Sequence, residues 1–151
     1  MKAHPRSIAL RGLVAAACAI AFSLAGAADI GQIKIANGQV SIERAGETIP
    51  ATVGMRVQPS DTVRTGADGS VGITMNDDST LSAGPNSVFS FDRYAFDTTT
   101  NKGQFDTSLK RGSLAVISGR IAKESPDAMK VRTPAAMLGV RGTEFIVKVD
   151  D

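Results

Sequence analysis

Phe105-Asp106-Thr107-Ser108-Leu109-Lys110-Arg111-Gly112-Ser113-Leu114-Ala115-Val116 is the stretch whose periodicity decides the fold. Phe105, Thr107 and Leu109 alternate with polar residues, and Leu114 and Val116 resume the alternation beyond Lys110-Arg111-Gly112. A period of two buries one face of a segment and wets the other, which is the signature of a half-buried strand. The stretch therefore predicts two strands joined by a turn at 110–112. The same period recurs on both sides: Ile33 and Ile35; Val40 and Ile42; Val71, Ile73 and Met75; Phe89 and Phe91; Met129 and Val131; Phe145, Val147 and Val149. Turn formers separate these bursts at Asn37-Gly38, Ala45-Gly46-Glu47, Gly66-Ala67-Asp68-Gly69, Asn76-Asp77-Asp78-Ser79, Gly84-Pro85-Asn86 and Asn101-Lys102-Gly103. Strands spaced about 8 to 12 residues apart predict an all-β chain, built as a sandwich, barrel or short solenoid. Only Thr133 to Leu138 reads as helical, with Thr133 as cap and Pro134 in the first turn. Asp97 to Gly103, with three consecutive threonines, reads as a solvated hairpin loop.

The first 28 residues differ from everything after them. Lys2, Arg6 and Arg11 precede an uncharged apolar run from Gly12 to Leu24, and small residues follow. That order predicts a secretory signal over residues 1–28, cut after Ala27 or Ala28. An uncleaved anchor is the rival reading, but the run is shorter than the roughly 20 residues that span a bilayer. Cys18 sits inside the apolar run, unlike a lipoprotein cysteine. Export places the remaining chain in the periplasm or the medium, with no membrane span after cleavage.

The charge of +2 belongs to that leader, because the rest of the chain holds 14 bases against 15 acids. Basicity is thus no argument for a nucleic-acid partner. His4 and Cys18, the single His and the single Cys, also lie in the leader, and the chain has no Trp. Beyond residue 28, imidazole and thiol nucleophiles, disulfides and Cys/His metal sites are excluded. No phosphate-cradling loop occurs, and Lys110-Arg111 is too short a basic run to be more than a turn.

From Gly54 to Val149 the order of motifs resembles the FecR domain, a family of exported all-β modules. The resemblance rests on Asp61-Thr62-Val63-Arg64-Thr65-Gly66, Gly69, Asp77-Asp78-Ser79, Gly84-Pro85-Asn86-Ser87 and Gly112-Ser113-Leu114. Its most specific part is the end, where Val131-Arg132-Thr133-Pro134-Ala135-Ala136 leads to Gly139-Val140-Arg141-Gly142-Thr143-Glu144-Phe145. The family implies a jelly-roll-like β-sandwich or a solenoid-like β fold. The expected organisation is a signal at 1–28, an N-terminal β segment at 29–53 and the FecR-like domain at 54–149. Well-known members resemble membrane-spanning anti-sigma regulators with a cytoplasmic helical unit. Met1 to Arg11 is too short to fold as such a unit, so that activity is not expected here. The chain also departs from the family at Asp78, where Gly is usual in the hairpin; Asp tolerates a positive φ less well.

Candidate sites follow from what is left. Asp77 and Asp78, adjacent in a turn, read as solvated and not as a catalytic pair, and a calcium site through Asp68, Asp77 and Asp78 matches no defensible loop spacing. Arg141, set between Gly139 and Gly142, reads as a fold-closing group paired with Asp61, Glu144 or Asp68, or else as a partner-binding side chain. Phe89, Phe91, Tyr94 and Phe96 read as core with Tyr94 at its edge, or else as a sugar or peptide platform. The candidate binding residues are Arg141 and Tyr94. Thr133, Pro134, Gly139, Arg141, Gly142, Thr143 and Phe145 form the structural motif. No catalytic residue, metal or cofactor is expected.

The expected function is a non-catalytic exported binding module for a protein or an envelope polymer. One alternative is a periplasmic sensor accessory to a sigma-regulator or receptor system; another is a carboxylate-dependent envelope enzyme. Phe145 to Val149 reads as a strand with Glu144, Ile146 and Lys148 outward; as an edge it would be able to accept a partner strand or to form a homodimer.

Overall fold

A computed structural model describes residues 28–140 and 144–150. Residues 1–27, which fall within the expected signal at 1–28, and three motif residues, Arg141, Gly142 and Thr143, lie outside the described residues. The described residues are mostly β, as the periodicity predicts. The first half contains β1 (Gly31–Asn37), β2 (Val40–Arg44), β3 (Glu47–Pro50), β4 (Arg56–Val57), β5 (Thr62–Thr65), β6 (Ser70–Met75) and β7 (Thr80–Ala83). The second half contains β8 (Val88–Phe96), β9 (Gly103–Ile117), a short helix α1 (Arg120–Glu124), a 3-10 turn (Pro126–Ala128), β10 (Met129–Arg132), β11 (Met137–Gly139) and β12 (Glu144–Val149).

The strands form one curled sheet in the order β3-β2-β5-β8-β9-β7-β6-β1-β4. β10 and β12 both branch from β9, and β11 extends β10. Pairs are antiparallel except for the parallel pair β9–β10, and the single curled sheet makes a half-barrel instead of two stacked layers or solenoid coils. The N-terminal β segment is woven into the sheet, with β1 beside β6 and β2 beside β5. The sheet curls around the apolar residues of the alternating bursts: Ile33, Ile42, Val63, Ile73, Leu81, Phe89, Phe91, Phe105, Leu109, Leu114, Val116 and Val131 have no exposed surface. Phe89 and Phe91 meet edge to face at 5.7 Å, and Tyr94 meets Phe105 at 5.0 Å. Such contacts add to what their burial alone contributes.

Three local expectations fail, each for a physical reason. Lys110-Arg111-Gly112 is no hairpin turn but a bend inside the 15-residue β9. The register against β8 slips there, with Val88 opposite Arg111 and Phe89 opposite Leu109. Gly112 takes a φ of 89°, and a Cβ on it would lie 2.2 Å from Ser87 Oγ. The same hydroxyl accepts a hydrogen bond from Ser113 N at 3.0 Å, so Ser87 clamps the bend. Below the bend β9 pairs with β8 and β10; above it, with β7 and β12.

Ile35 is the second exception. A bulge in β1 between Ile33 and Ile35 flips it to the outer face, opposite Gly72, where it is 53% exposed. Third, Thr133 to Leu138 is a tight turn and a strand instead of a helix. Thr133 N donates to Ala136 O at 2.8 Å, and Thr133 Oγ1 accepts from Ala136 N at 3.1 Å, closing the chain so that β11 returns along β10. Pairing to Val131 and Arg132 outweighs the weak helical start at Thr133-Pro134.

The helix that does form, α1, is fastened to the β6–β7 hairpin. Gly119 N donates to Ser79 Oγ at 2.9 Å, and Arg120 N donates to Asp77 O at 2.7 Å. Asp77 O would lie 2.2 Å from a Cβ on Gly119, so this approach needs glycine. Among the described residues, no helix is long and apolar enough to cross a membrane.

Candidate functional site

Alternation on three neighbouring strands gathers charge on one patch of the outer surface. Met129 and Val131 of β10 point into the core, which sends Lys130 and Arg132 outward. The parallel register sets Lys130 opposite Asp106 and Arg132 opposite Ser108. On the other side of β9 a bulge in β8 places Arg93 opposite Asp106. One cross-strand row thus reads Arg93, Asp106, Lys130. In the neighbouring row Met137 of β11 stands opposite Arg132. Asp92, Arg93, Asp106, Lys130, Arg132 and Met137 line a groove of about 290 Å³.

Internal bonding fixes the two acids differently. Asp92 accepts from Ser90 Oγ at 3.0 Å and from Ser108 Oγ, so both its oxygens are engaged. Asp106 accepts from Gln104 Nε2 at 3.1 Å through Oδ2, and Gln104 in turn accepts from Arg93 at 3.2 Å. Asp106 Oδ1 is buried and has no hydrogen-bond partner among the described residues. Arg93, Lys130 and Arg132 form no ion pair among the described residues, whose ion pairs are Arg44–Asp61, Arg64–Glu43 and Arg120–Asp78.

The other end of β9 carries a different surface. β12 pairs with β9 from Glu144 opposite Ile117 to Val149 opposite Gly112, and with no other described strand. Phe145, Val147 and Val149 face inward, while Glu144, Ile146 and Lys148 face out, as expected from the sequence. Ile146 is 72% exposed. A cross-strand row runs from it through Ala115, Ser82 and Gly72 to the exposed Ile35. This row has no charge.

Tyr94 does not stand on a platform. Phe89 and Phe91 are fully buried, and the Tyr94 hydroxyl turns inward to the hairpin, donating to Asp77 Oδ1 at 3.0 Å and accepting from Asp77 N at 2.9 Å. Burial, and next the charge of Asp77, pushes the Tyr94 phenol well above its ordinary value, so it remains a protonated donor. Asp77 itself is no solvated turn residue. It is fully buried, and it also accepts from Ser79 Oγ at 2.7 Å and from Ile121 N at 3.3 Å. The hub fastens strand, hairpin and helix.

Asp61, one of the three acids considered for Arg141, is bonded by Arg44. The guanidinium donates to both its oxygens, at 2.9 and 2.7 Å, while Gln58 N donates at 2.8 Å. These bonds hold the Arg44 pKa above its usual value. Of the remaining motif residues, Thr133 and Pro134 form the β10–β11 turn, Gly139 sits opposite Lys130, and Phe145 packs half-buried against the core. Sequence reading missed the groove, whose one visible signal was the alternation Met129-Lys130-Val131-Arg132, with two cations on the wet face of a strand.

A family model described as FecR protein matches residues 61–151. No curated protein and no solved structure matches the chain. The match begins at Asp61, the carboxylate held by Arg44, and takes in the bend of β9, the Thr133 turn and β12. The chain belongs to the FecR family.

Proposed function

We propose that this member of a signalling-related family is an exported, non-catalytic interaction module, which takes a strand of a protein partner against the free edge of β12. The carrying observation is that edge: six residues of regular strand, paired on one side among the described residues, with Ile146 72% exposed at their centre. Unpaired strand edges supply main-chain hydrogen bonds, and alternate side chains then select the partner. Ile146 is the apolar anchor of this edge, and Glu144 and Lys148 flank it with opposite charges.

A non-catalytic role fits the acids of the fold. Asp77 is enclosed in hydrogen bonds, Asp61 is neutralised by Arg44 and Asp92 is held by two serines. Asp92 shares its groove with Asp106, but hydroxyl donors engage both oxygens of Asp92, which suits a fixed structural carboxylate better than a proton-transfer group. A sensor accessory to a membrane regulator is the same module in its signalling context, and the family supports it. The charge, apolar run and small residues of 1–28, which read as an export signal, support the periplasm or the medium as its place of work.

A photo-crosslinking residue at position 146, used in the intact envelope, tests the reading. A discrete protein adduct that weakens when Glu144→Lys and Lys148→Glu reverse the two flanking charges supports it. Adducts of this chain with itself make the edge a homodimer interface. Diffuse labelling with no discrete adduct defeats edge recognition.

A further inference from the structure

The charged groove stands apart from the β12 edge and is built for a different kind of contact. Three cations surround it without ion-pair partners among the described residues, and a carboxylate oxygen at its floor is buried and unbonded. Asp106 lies between Arg93 and Lys130 in the row, yet neither cation closes on it. A buried polar atom without a partner is costly, and it is retained where something else supplies the bond. The two adjacent cations of β10 ask for anions, and Asp106 Oδ1 asks for a donor. A simple anion satisfies the first demand and is repelled by the second.

We infer that the groove binds an extended acidic peptide, with alternate carboxylate side chains on Lys130 and Arg132 and a peptide N–H donated to Asp106 Oδ1. Lys130 and Arg132 are two residues apart on one face of β10, a separation of roughly 6.7 Å. Alternate residues of an extended peptide repeat at the same distance, so a Glu-X-Glu segment matches the pair in register. Its backbone supplies the N–H donors between the carboxylates. Arg132 offers a planar two-pronged contact and Lys130 a point charge. Met137, 54% exposed beside Arg132, gives the intervening side chain an adaptable apolar wall. The groove volume of about 290 Å³ suits a segment of a few residues rather than a folded surface.

Titration of the full exported protein by backbone amide NMR tests this, with the probes Ac-Gly-Glu-Thr-Glu-Gly-NH2, its Gln-for-Glu counterpart and inorganic phosphate. The acidic peptide is expected to give saturable shifts confined to β8–β11, with the Gln peptide at least about tenfold weaker. Lys130→Gln and Arg132→Gln should each weaken the acidic peptide by about tenfold. Both residues are exposed, so unchanged melting of these variants shows that the fold survives. Asp106→Asn gives the sharpest answer. Losing the carboxylate weakens a ligand that donates to it and tightens an anion that it repels. Phosphate binding as tight as the peptide, tighter peptide binding by Asp106→Asn, equal binding of the Gln peptide, or no saturable shift up to about 10 mM peptide would each overturn the inference. Because Ile146 plays no part in these titrations, failure here leaves the β12 edge untouched, and the reverse holds.

Discussion

The two ends of β9 share one backbone and have opposite surfaces. From Gly103 to Arg111 the strand lies between β8 and the parallel β10, and its outer side belongs to a patch of Asp92, Arg93, Asp106, Lys130 and Arg132. From Gly112 to Ile117 it lies between β7 and β12, and its outer side shows Ala115 in the uncharged row from Ile146 to Ile35, flanked by Ser113 opposite Lys148 and Ile117 opposite Glu144. Inward the two ends are alike, with Phe105 and Leu109 continuing into Leu114 and Val116 in one core. The difference teaches that the core sets the fold and leaves the outer register free to make two unlike surfaces. The bend at Gly112 separates them.

The largest expected effect comes from removing that bend. Gly112→Val imposes a side chain at a φ of 89° and drives its Cβ towards Ser87 Oγ, which already clamps Ser113. Strain at such a backbone position and overpacking each cost about 1–3 kcal/mol, so a combined loss of about 3 kcal/mol or more is expected in urea unfolding. Crosslinking at position 146 should also fall, because β12 is registered on the segment directly after the bend. A variant of unchanged stability would show that the two ends are parts of one regular strand and not separate surfaces.

A smaller effect tests what fastens the two ends together. Tyr94 belongs to β8, on the charged side, and Asp77 to the hairpin of β6 and β7, on the uncharged side. Tyr94→Phe leaves Asp77 N without its acceptor and Asp77 Oδ1 with only the 3.3 Å bond from Ser79 N. The expected cost is about 1–3 kcal/mol. Since the folded pKa of Tyr94 is raised, its contribution is complete below the unfolded value, about pH 10, and declines as pH rises beyond that point. Tyr94 is the single tyrosine, so the difference between parent and Tyr94→Phe in unfolding free energy from pH 8 to 11 isolates it from the lysines. A difference that stays constant over this range would mean that the phenol is not held by Asp77.

The core of both ends was legible from the sequence because burial alternates with period two and needs no partner to be seen. Phe105, Thr107, Leu109, Leu114 and Val116 all face inward as read. What joins them was not legible. Lys110-Arg111-Gly112 has the composition of a turn, and only pairing of both flanks with different neighbours makes it a bend. Asp77 has the composition of a solvated turn as well, and its burial depends on Tyr94, Ser79 and Ile121, up to 44 residues away. α1 spans five residues, too short for helical periodicity to register. The groove is non-local in the same sense: Arg93, Asp106 and Lys130 come together only through the registers of β8, β9 and β10. The strand of β12 and its outward side, Glu144, Ile146 and Lys148, were legible because alternation is local, whereas its pairing on one side among the described residues is set by topology.

The smallest expected effect concerns a second bridge between the two sides, at the surface. Arg120 lies 4.9 Å above the ring of Phe96, at the end of β8, and its Nε is 3.2 Å from Asp78 Oδ2 in the hairpin. The Nε makes no hydrogen bond despite that distance, and the Asp78 side chain is 73% exposed, so solvent screens the pair and it contributes little. Against it stands backbone strain, because Asp78 holds a φ of 68°, a conformation that glycine adopts without penalty. The family's usual residue is therefore the better one at this position, and Asp78→Gly should raise stability by about 0.4–1 kcal/mol, seen as a small upward shift in Tm. Arg120 keeps its bond to Asn76 O at 3.1 Å in that variant, so the cation stays over Phe96. A fall in Tm would reverse the order of the two effects. It would mean that the exposed ion pair, and not only the buried Tyr94–Asp77 bond, ties the charged side of the sheet to the uncharged one.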